Sequence, residues 1–151
     1  MAFDFTIALK KREIEQAAAL QAKLRLQDIS LYKSEATGAG PPTRAVEPVL
    51  LSAELDSEVD HRDSAGVNFA VTLRVACDDP LAFHIEATFL ARYRFADRAK
   101  PASKAELEAF RKGHAVLAVW PYLREFVQAI TARMGFPTEP LPLLRLVPRK
   151  G

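Results

Sequence analysis

The side chains that could do chemistry in this chain are few, and their spacing serves it poorly. His61 lies between Asp60 and Arg62, with no second histidine at ligand spacing, so it reads as a solvated hairpin tip rather than a metal ligand. His84 and Glu86 share one face of a strand, which is the spacing of an acid/base pair. A sheet face meeting solvent or a partner accounts for them too, and is the favoured reading. His114 follows Gly113 and reads as a helix-end residue near a C-terminal dipole. The single cysteine, Cys77, excludes an internal disulfide and any multi-cysteine zinc site, and no nearby base argues for its activation. Arg92, Arg94, Arg98 and Lys100 make a basic patch without the aromatic platform of an RNA reader, so a solvated face is favoured. A Gly-rich phosphate loop and a Ser-His-Asp order are both missing. The expectation is a non-enzyme with no cofactor and no metal.

The elements that carry these residues suit one α+β unit. A chain of 151 residues can bury about 68–70% of its unfolded surface, which predicts a single domain over 1–151. Apolar residues make up 49% and charged residues 26%, an ordinary soluble mix. A net charge of +2, from 21 bases and 19 acids, is too balanced to imply nucleic acid. No apolar run approaches the ~20 residues of a membrane span, so no membrane insertion is expected. The opening MAFDFTIALKKREIEQ puts its bases after the apolar stretch, unlike a secretory signal, and predicts a cytoplasmic protein.

Phe3, Phe5, Ile7 and Leu9 alternate with smaller or polar residues, as in a short strand. The following KKREIEQAAALQAKL is helical by composition, and its start lies either at Asp4 or near Lys10. Residues 1–23 thus form an N-terminal helical extension. Leu24 to Ala36 is a strand whose apolar phase switches from Leu24/Leu26 to Ile29/Leu31, the signature of a bulge. Thr37–Pro48 is a loop rich in proline and glycine. Strands follow at Val49–Val59, Val67–Ala76 and Leu81–Phe95, separated by turns at Asp60–Ser64 and Asp78–Pro80. Short turns make this an antiparallel meander. One face is apolar; the other carries His84, Glu86, Thr88, Arg92 and Arg94, interrupted by Leu90 and Ala70. Ser103 and Glu106 form a capping box opening a helix with Leu107 and Phe110 inward. Gly113 breaks it. The tail over 138–151 is extended by its prolines.

Ala115 to Pro137 is the most informative stretch. Val119, Leu123, Phe126, Val127, Ile130 and Met134 make a helical stripe, with Pro121 in its first turns and Gly135 as the stop. Its wording, Pro121-Tyr122-x-Arg124-Glu125, then Arg133, then Phe136-Pro137, resembles the last long helix of SecB-type chaperones. Asp28-Ile29-Ser30 and Ala82-Phe83-x-x-Glu86 extend the resemblance over roughly residues 24 to 147. It implies a four-stranded antiparallel sheet with two C-terminal helices on one face, which the residue patterns reach independently. It also implies an ATP-independent holdase for unfolded polypeptides and a homotetramer built as a dimer of dimers. An apolar client groove would include Trp120, Tyr122, Phe126, Phe110 and Leu123. Trp120 is either core or groove; helical spacing weights it towards core.

Asp28 and Glu86 match the acids with which export-type SecB docks the SecA motor. However, Tyr32 stands where a further acid belongs, His84 replaces an apolar neighbour, and the tail ends basic in Arg149-Lys150. These departures count against SecA as a partner. The SecB-like chaperones of toxin–antitoxin–chaperone systems are more similar, through the alanine-rich Ala17–Ala22 before Asp28-Ile29 and through Trp120-Pro121-Tyr122-Leu123-Arg124-Glu125. There the client is an aggregation-prone antitoxin. The alternative from another class is a small α+β ligand-binding or enzymatic domain with a pocket between sheet and helices.

Overall fold

The structure is a computed structural model and describes residues 5–38, 51–77, 83–96, 100–135 and 141–149, without the side chains of Leu51 and Cys77. Of the expected loop Thr37–Pro48, Thr37 and Gly38 are strand instead, and residues 39–48 lie outside the described residues, as do the turn Asp78–Pro80, Phe3, Arg98 and Phe136-Pro137. Along the chain run β1 (Thr6–Leu9), α1 (Lys11–Gln21), β2 (Leu24–Gly38), β3 (Leu51–Arg62), β4 (Gly66–Cys77), β5 (Phe83–Phe95), α2 (Lys104–Lys112), α3 (His114–Arg133) and β6 (Arg145–Pro148). Strands β2 to β5 form an antiparallel sheet in the order β2-β5-β4-β3. The fold is the expected α+β layer, but only β3, β4 and β5 form the expected meander; β2 pairs with β5 rather than with β3, its successor in the chain.

Alternation decides which face is buried. Val67, Phe69, Val71, Leu73 and Val75 of β4, with Ile85, Ala87, Phe89, Ala91 and Tyr93 of β5, pack against Leu107, Phe110, Val116, Val119, Trp120 and Leu123 of α2 and α3. Phe110 is the hub, 5.2 Å from the rings of both Phe69 and Tyr93. The opposite face is polar, and Thr72 and Thr88 bond across it at 2.7 Å. Ala70 and Leu90, which interrupt that face, are both only 5% exposed.

The helix starts follow local chemistry. Ser103 Oγ accepts from the Glu106 N–H at 3.1 Å, and Glu106 Oε1 accepts from the Ser103 N–H at 3.0 Å, the reciprocal box foreseen. That bond to the Ser103 N–H, and the Lys23 ammonium at 3.1 Å, hold the Glu106 carboxyl below its ordinary pKa. At α1 the open question resolves near Lys10, whose N–H donates to Glu13 Oε1 at 3.1 Å.

Four further expectations change. First, α3 begins at His114, so Pro121 sits about two turns inside the helix rather than in its first turns. The bond it lacks would have gone to the Leu117 carbonyl, and both residues lie on the exposed flank where water can accept that loss. Second, His114 opens α3 instead of closing a helix, and stacks on Phe110 at 5.3 Å. Third, β3 continues through Asp60, His61 and Arg62, with a bulge between Val59 and His61. The turn follows: Asp63 Oδ1 accepts from the N–H groups of Ala65 and Gly66 at 2.8 and 3.0 Å. Fourth, the tail carries β6, which pairs in parallel with β1. Strand β2 has the foreseen bulge between Leu26 and Asp28, and a second one between Leu31 and Lys33 that the apolar phase did not show.

Candidate functional site

The helices cover the sheet unevenly. α3 lies over β4 and β5, and β2, at the sheet edge, is left largely bare. Leu26 and Leu31 on β2 are 47% and 46% exposed, and Tyr122 on α3 is 46% exposed. Phe89 joins the two sides: Leu31 pairs opposite it across the strands, and its ring lies 6.0 Å from Tyr122 and 6.2 Å from Phe126. Ile29, opposite Ala91, and Phe126 are half-buried. The result is a shallow apolar trough with Phe89 in its floor, β2 as one bank and the Tyr122 flank of α3 as the other.

Of the five residues expected to line a client groove, only Tyr122 and part of Phe126 reach the surface. Phe110 and Trp120 are 2% exposed and Leu123 is fully buried, so all three are core in this chain. Trp120 packs on Phe5 of β1 at 4.7 Å, and its Nε1–H donates to the Pro142 carbonyl at 2.9 Å. Arg124 Nε donates to the Leu141 carbonyl at 2.7 Å. Both chain ends therefore close the flank of α3 that Trp120 faces. Leu26, Leu31 and Phe89 were not singled out as site residues. Their signal was the bulge, since an edge strand that keeps leucines on an uncovered face departs from the usual protection of edges.

The two expected docking acids are not free. Arg92 Nη1 donates to Asp28 Oδ1 and to Ser30 Oγ, each at 2.9 Å. Glu86 pairs with Arg74 at 3.4 Å, which also removes it as a base for His84. Tyr32 sits at the second bulge and is 66% exposed. Burial lowers the pKa of His114, whose Nδ1 has no hydrogen-bond partner, and pushes that of Tyr93 up to about 12.

A second concavity, of about 500 Å³, lies between β1 and β3, with Val116 and Leu144 beneath it and Arg111 and Lys112 at its side. Its cations are already paired, Arg111 with Glu108 at 2.7 Å and Lys112 with Glu13 at 2.8 Å. Those partners hold both carboxyls below their ordinary pKa. Among the described residues no cluster of histidine, cysteine or carboxylate side chains could hold a metal, and no helix is long and apolar enough to cross a membrane.

The arrangement of a four-stranded antiparallel sheet with two helices on one face is the SecB-like fold. The Mycobacterium tuberculosis SecB-like chaperone Rv1957, solved in complex with a ChAD peptide from the HigA1 antitoxin, has the same fold, with a TM-score of 0.79 at 20% identity over 88% of this chain and 99% of that one. A protein of unknown function from Streptococcus agalactiae aligns with a TM-score of 0.43 at 11% identity, over 80% of this chain and 98% of that one. No protein-family model and no curated protein matches the sequence.

Proposed function

We propose that this chain is a chaperone that holds unfolded polypeptide without nucleotide, and that its client is an extended apolar segment of an antitoxin. The supporting observation is the trough between β2 and α3, where Leu31 and Tyr122 stay about half exposed around Phe89 and Leu26, equally exposed, lies further along β2 opposite Tyr93. The shared fold with a chaperone solved on an antitoxin peptide supports this client class. Each client side chain buried there contributes about 1.5–3 kcal/mol. Ordering each client residue costs about 1–2 kcal/mol. One trough therefore binds weakly, and affinity must come from several troughs acting on one client. A homotetramer of the whole 1–151 unit, about 4 × 16.7 ≈ 67 kDa, supplies them. SecA is the less favoured partner, because Asp28 and Glu86 are neutralised by Arg92 and Arg74. An antitoxin client places the protein in the cytoplasm. The enzymatic alternative lacks support: the cations beside the cleft between β1 and β3 are held by glutamates rather than converging on a substrate.

The test uses an antitoxin diluted from urea, followed by light scattering. Wild-type protein keeps it soluble, and Leu31→Asp with Tyr122→Asp loses that protection while keeping the wild-type far-UV spectrum. Full protection by the folded double variant refutes the trough as the client site.

A further inference from the structure

The cleft between β1 and β3 differs at its two ends, and contacts along the helices set its direction. Phe5, before β1, meets the Trp120 ring at 4.7 Å, whereas Leu9, at the end of β1, lies against Gly113. Leu144 directly precedes Arg145, which pairs with Thr6, so it belongs to the Phe5 end. On the opposite wall Ser57 accepts at its carbonyl from Arg111 Nη1 at 2.9 Å, which belongs to the Leu9 end; Leu55 and Ala53 lie further along β3. One end is thus walled by Ala53, Leu55, Val116 and Leu144, the other by Ser57, Arg111 and Lys112. The volume of about 500 Å³ is that of a small-ligand site. At the polar end the main chain of β3 is already taken, because Asp56 Oδ1 accepts from the Ser57 N–H at 2.9 Å while Arg111 holds the carbonyl. What the cleft offers there is charge, and what it offers at the other end is hydrocarbon.

The charge is unbalanced. The chain leaving Leu9 runs through Lys10, Lys11 and Arg12 into the first turn of α1. The parallel ribbon brings a fourth cation from the other end of the chain, since the Arg149 N–H donates to the Leu9 carbonyl at 2.6 Å. All four residues are exposed, and among the described residues none of them makes an ion pair. They do not serve the helix, because cations in a first turn oppose its macrodipole. The acids nearby are Glu13, Glu108 and Asp56. Glu13 and Glu108 are spent on Lys112 and Arg111 at 2.8 and 2.7 Å, so this end of the cleft keeps a net positive charge.

We propose that the cleft binds a free single-chain anionic amphiphile, a fatty-acid carboxylate, with its tail towards Phe5 and Leu144 and its head among Lys10, Lys11, Arg12 and Arg149. The wall from Phe5 to Leu9 runs about 13 Å at ~3.3 Å per residue, which suits an extended acyl chain of medium length. Apolar burial along that wall supplies the affinity, and the cations set the orientation and select a charged head. The site is independent of the chaperone reading, because the trough lies on the other flank of α3.

The experiment is titration calorimetry on the full chain with dodecanoate below its micellar concentration, beside dodecanol and inorganic phosphate. Dodecanoate is expected to saturate a single site per protomer and to leave the far-UV spectrum unchanged. Dodecanol, which lacks the charge, and phosphate, which lacks the chain, should each bind weaker by about tenfold or more. Lys11→Glu with Arg149→Glu, both at exposed positions, is expected to weaken dodecanoate about tenfold, and Ala53→Phe, which fills the apolar end, to do the same. Dodecanoate brominated at its far carbon should quench Trp120, the sole tryptophan, which packs behind Phe5. Equal binding of dodecanol or of phosphate overturns the proposal, as does an affinity that both variants leave unchanged. Binding without bromine quenching overturns the placement of the tail. Anionic phospholipid vesicles that bind without being displaced by dodecanoate mark a membrane-facing patch instead, and overturn the site as well. None of these results alters the protection of an unfolded client by the trough, so the two readings fail separately.

Discussion

Trp120 decides whether the long helix offers its aromatics to a client or spends them on its own core. Its ring is 2% exposed, lies 4.7 Å from Phe5 and donates to the Pro142 carbonyl. A buried tryptophan removes about 150–250 Å² from water, or about 4–6 kcal/mol at 25 cal/mol per Å². Observed losses for Trp→Ala in cores run at about 3–5 kcal/mol. Trp120→Ala is therefore expected to cost about 4 kcal/mol. With a urea slope of about 1.5 kcal/mol per M, the midpoint falls by about 2–3 M. Trp120→Phe keeps one ring and loses the bond to Pro142, and should cost about half as much. Circular dichroism at one fixed protomer concentration is the assay, because the proposed assembly would make stability concentration-dependent. As the sole tryptophan, Trp120 gives a second readout. Its emission should be blue-shifted and resist quenching, with and without client. If Trp120→Ala unfolds where the wild type does and yet fails to bind client, the core assignment is refuted.

Three further outcomes follow from the same geometry. Burial holds the His114 ring neutral in the fold while the unfolded chain takes up a proton near pH 6.5, so its contribution is intact above that pH and is lost as pH falls below it. Between pH 7.5 and 5.5 the urea midpoint should drop more in wild type than in His114→Phe, which keeps the stack on Phe110 and removes the unpartnered Nδ1; equal slopes would show that His114 is not the group. Gly66→Ala would drive a Cβ into the Tyr93 carbonyl oxygen, which is backbone and cannot step aside cheaply. A cost of about 2–3 kcal/mol and a Tm lower by about 5–10 °C are expected by calorimetry. Asp28→Asn breaks a surface pair whose side chains are 43% and 55% exposed, so stability should change by less than about 1 kcal/mol and protection of an unfolded client should not change.

Alternation made β4 and β5 legible, since Val67 to Val75 and Phe83 to Tyr93 obey a period of two along nearly their whole length. The box at Ser103 and the break at Gly113 were equally readable, because local chemistry sets both. What the sequence could not show is non-local. β1 and β6 lie at opposite ends of the chain and pair in parallel through Thr6–Arg145 and Ala8–Val147. Nothing within either four-residue segment announces a partner so far away. The same contact explains Gly113, where a Cβ would meet Leu9 Cδ1 at 2.8 Å. A position that reads as a helix break is also the floor on which the terminal ribbon rests.

The grouping of Trp120 and Tyr122 as one aromatic cluster fails for a reason that also locates the site. Two residues apart on a helix of 3.6 residues per turn, they point about 200° from each other. Trp120 turns towards Phe5 and Pro142 and is sealed by the chain's own ends, whereas Tyr122 turns towards Phe89 and the bare strand β2. A helix covered on both flanks would leave no trough, and one bare on both would expose Trp120 as well as Tyr122 and favour aggregation. Closing one flank with the termini lets the other stay open at tolerable stability. The client contact proposed at Tyr122 and the core packing of Trp120 are therefore separable by mutation, although only Pro121 stands between them.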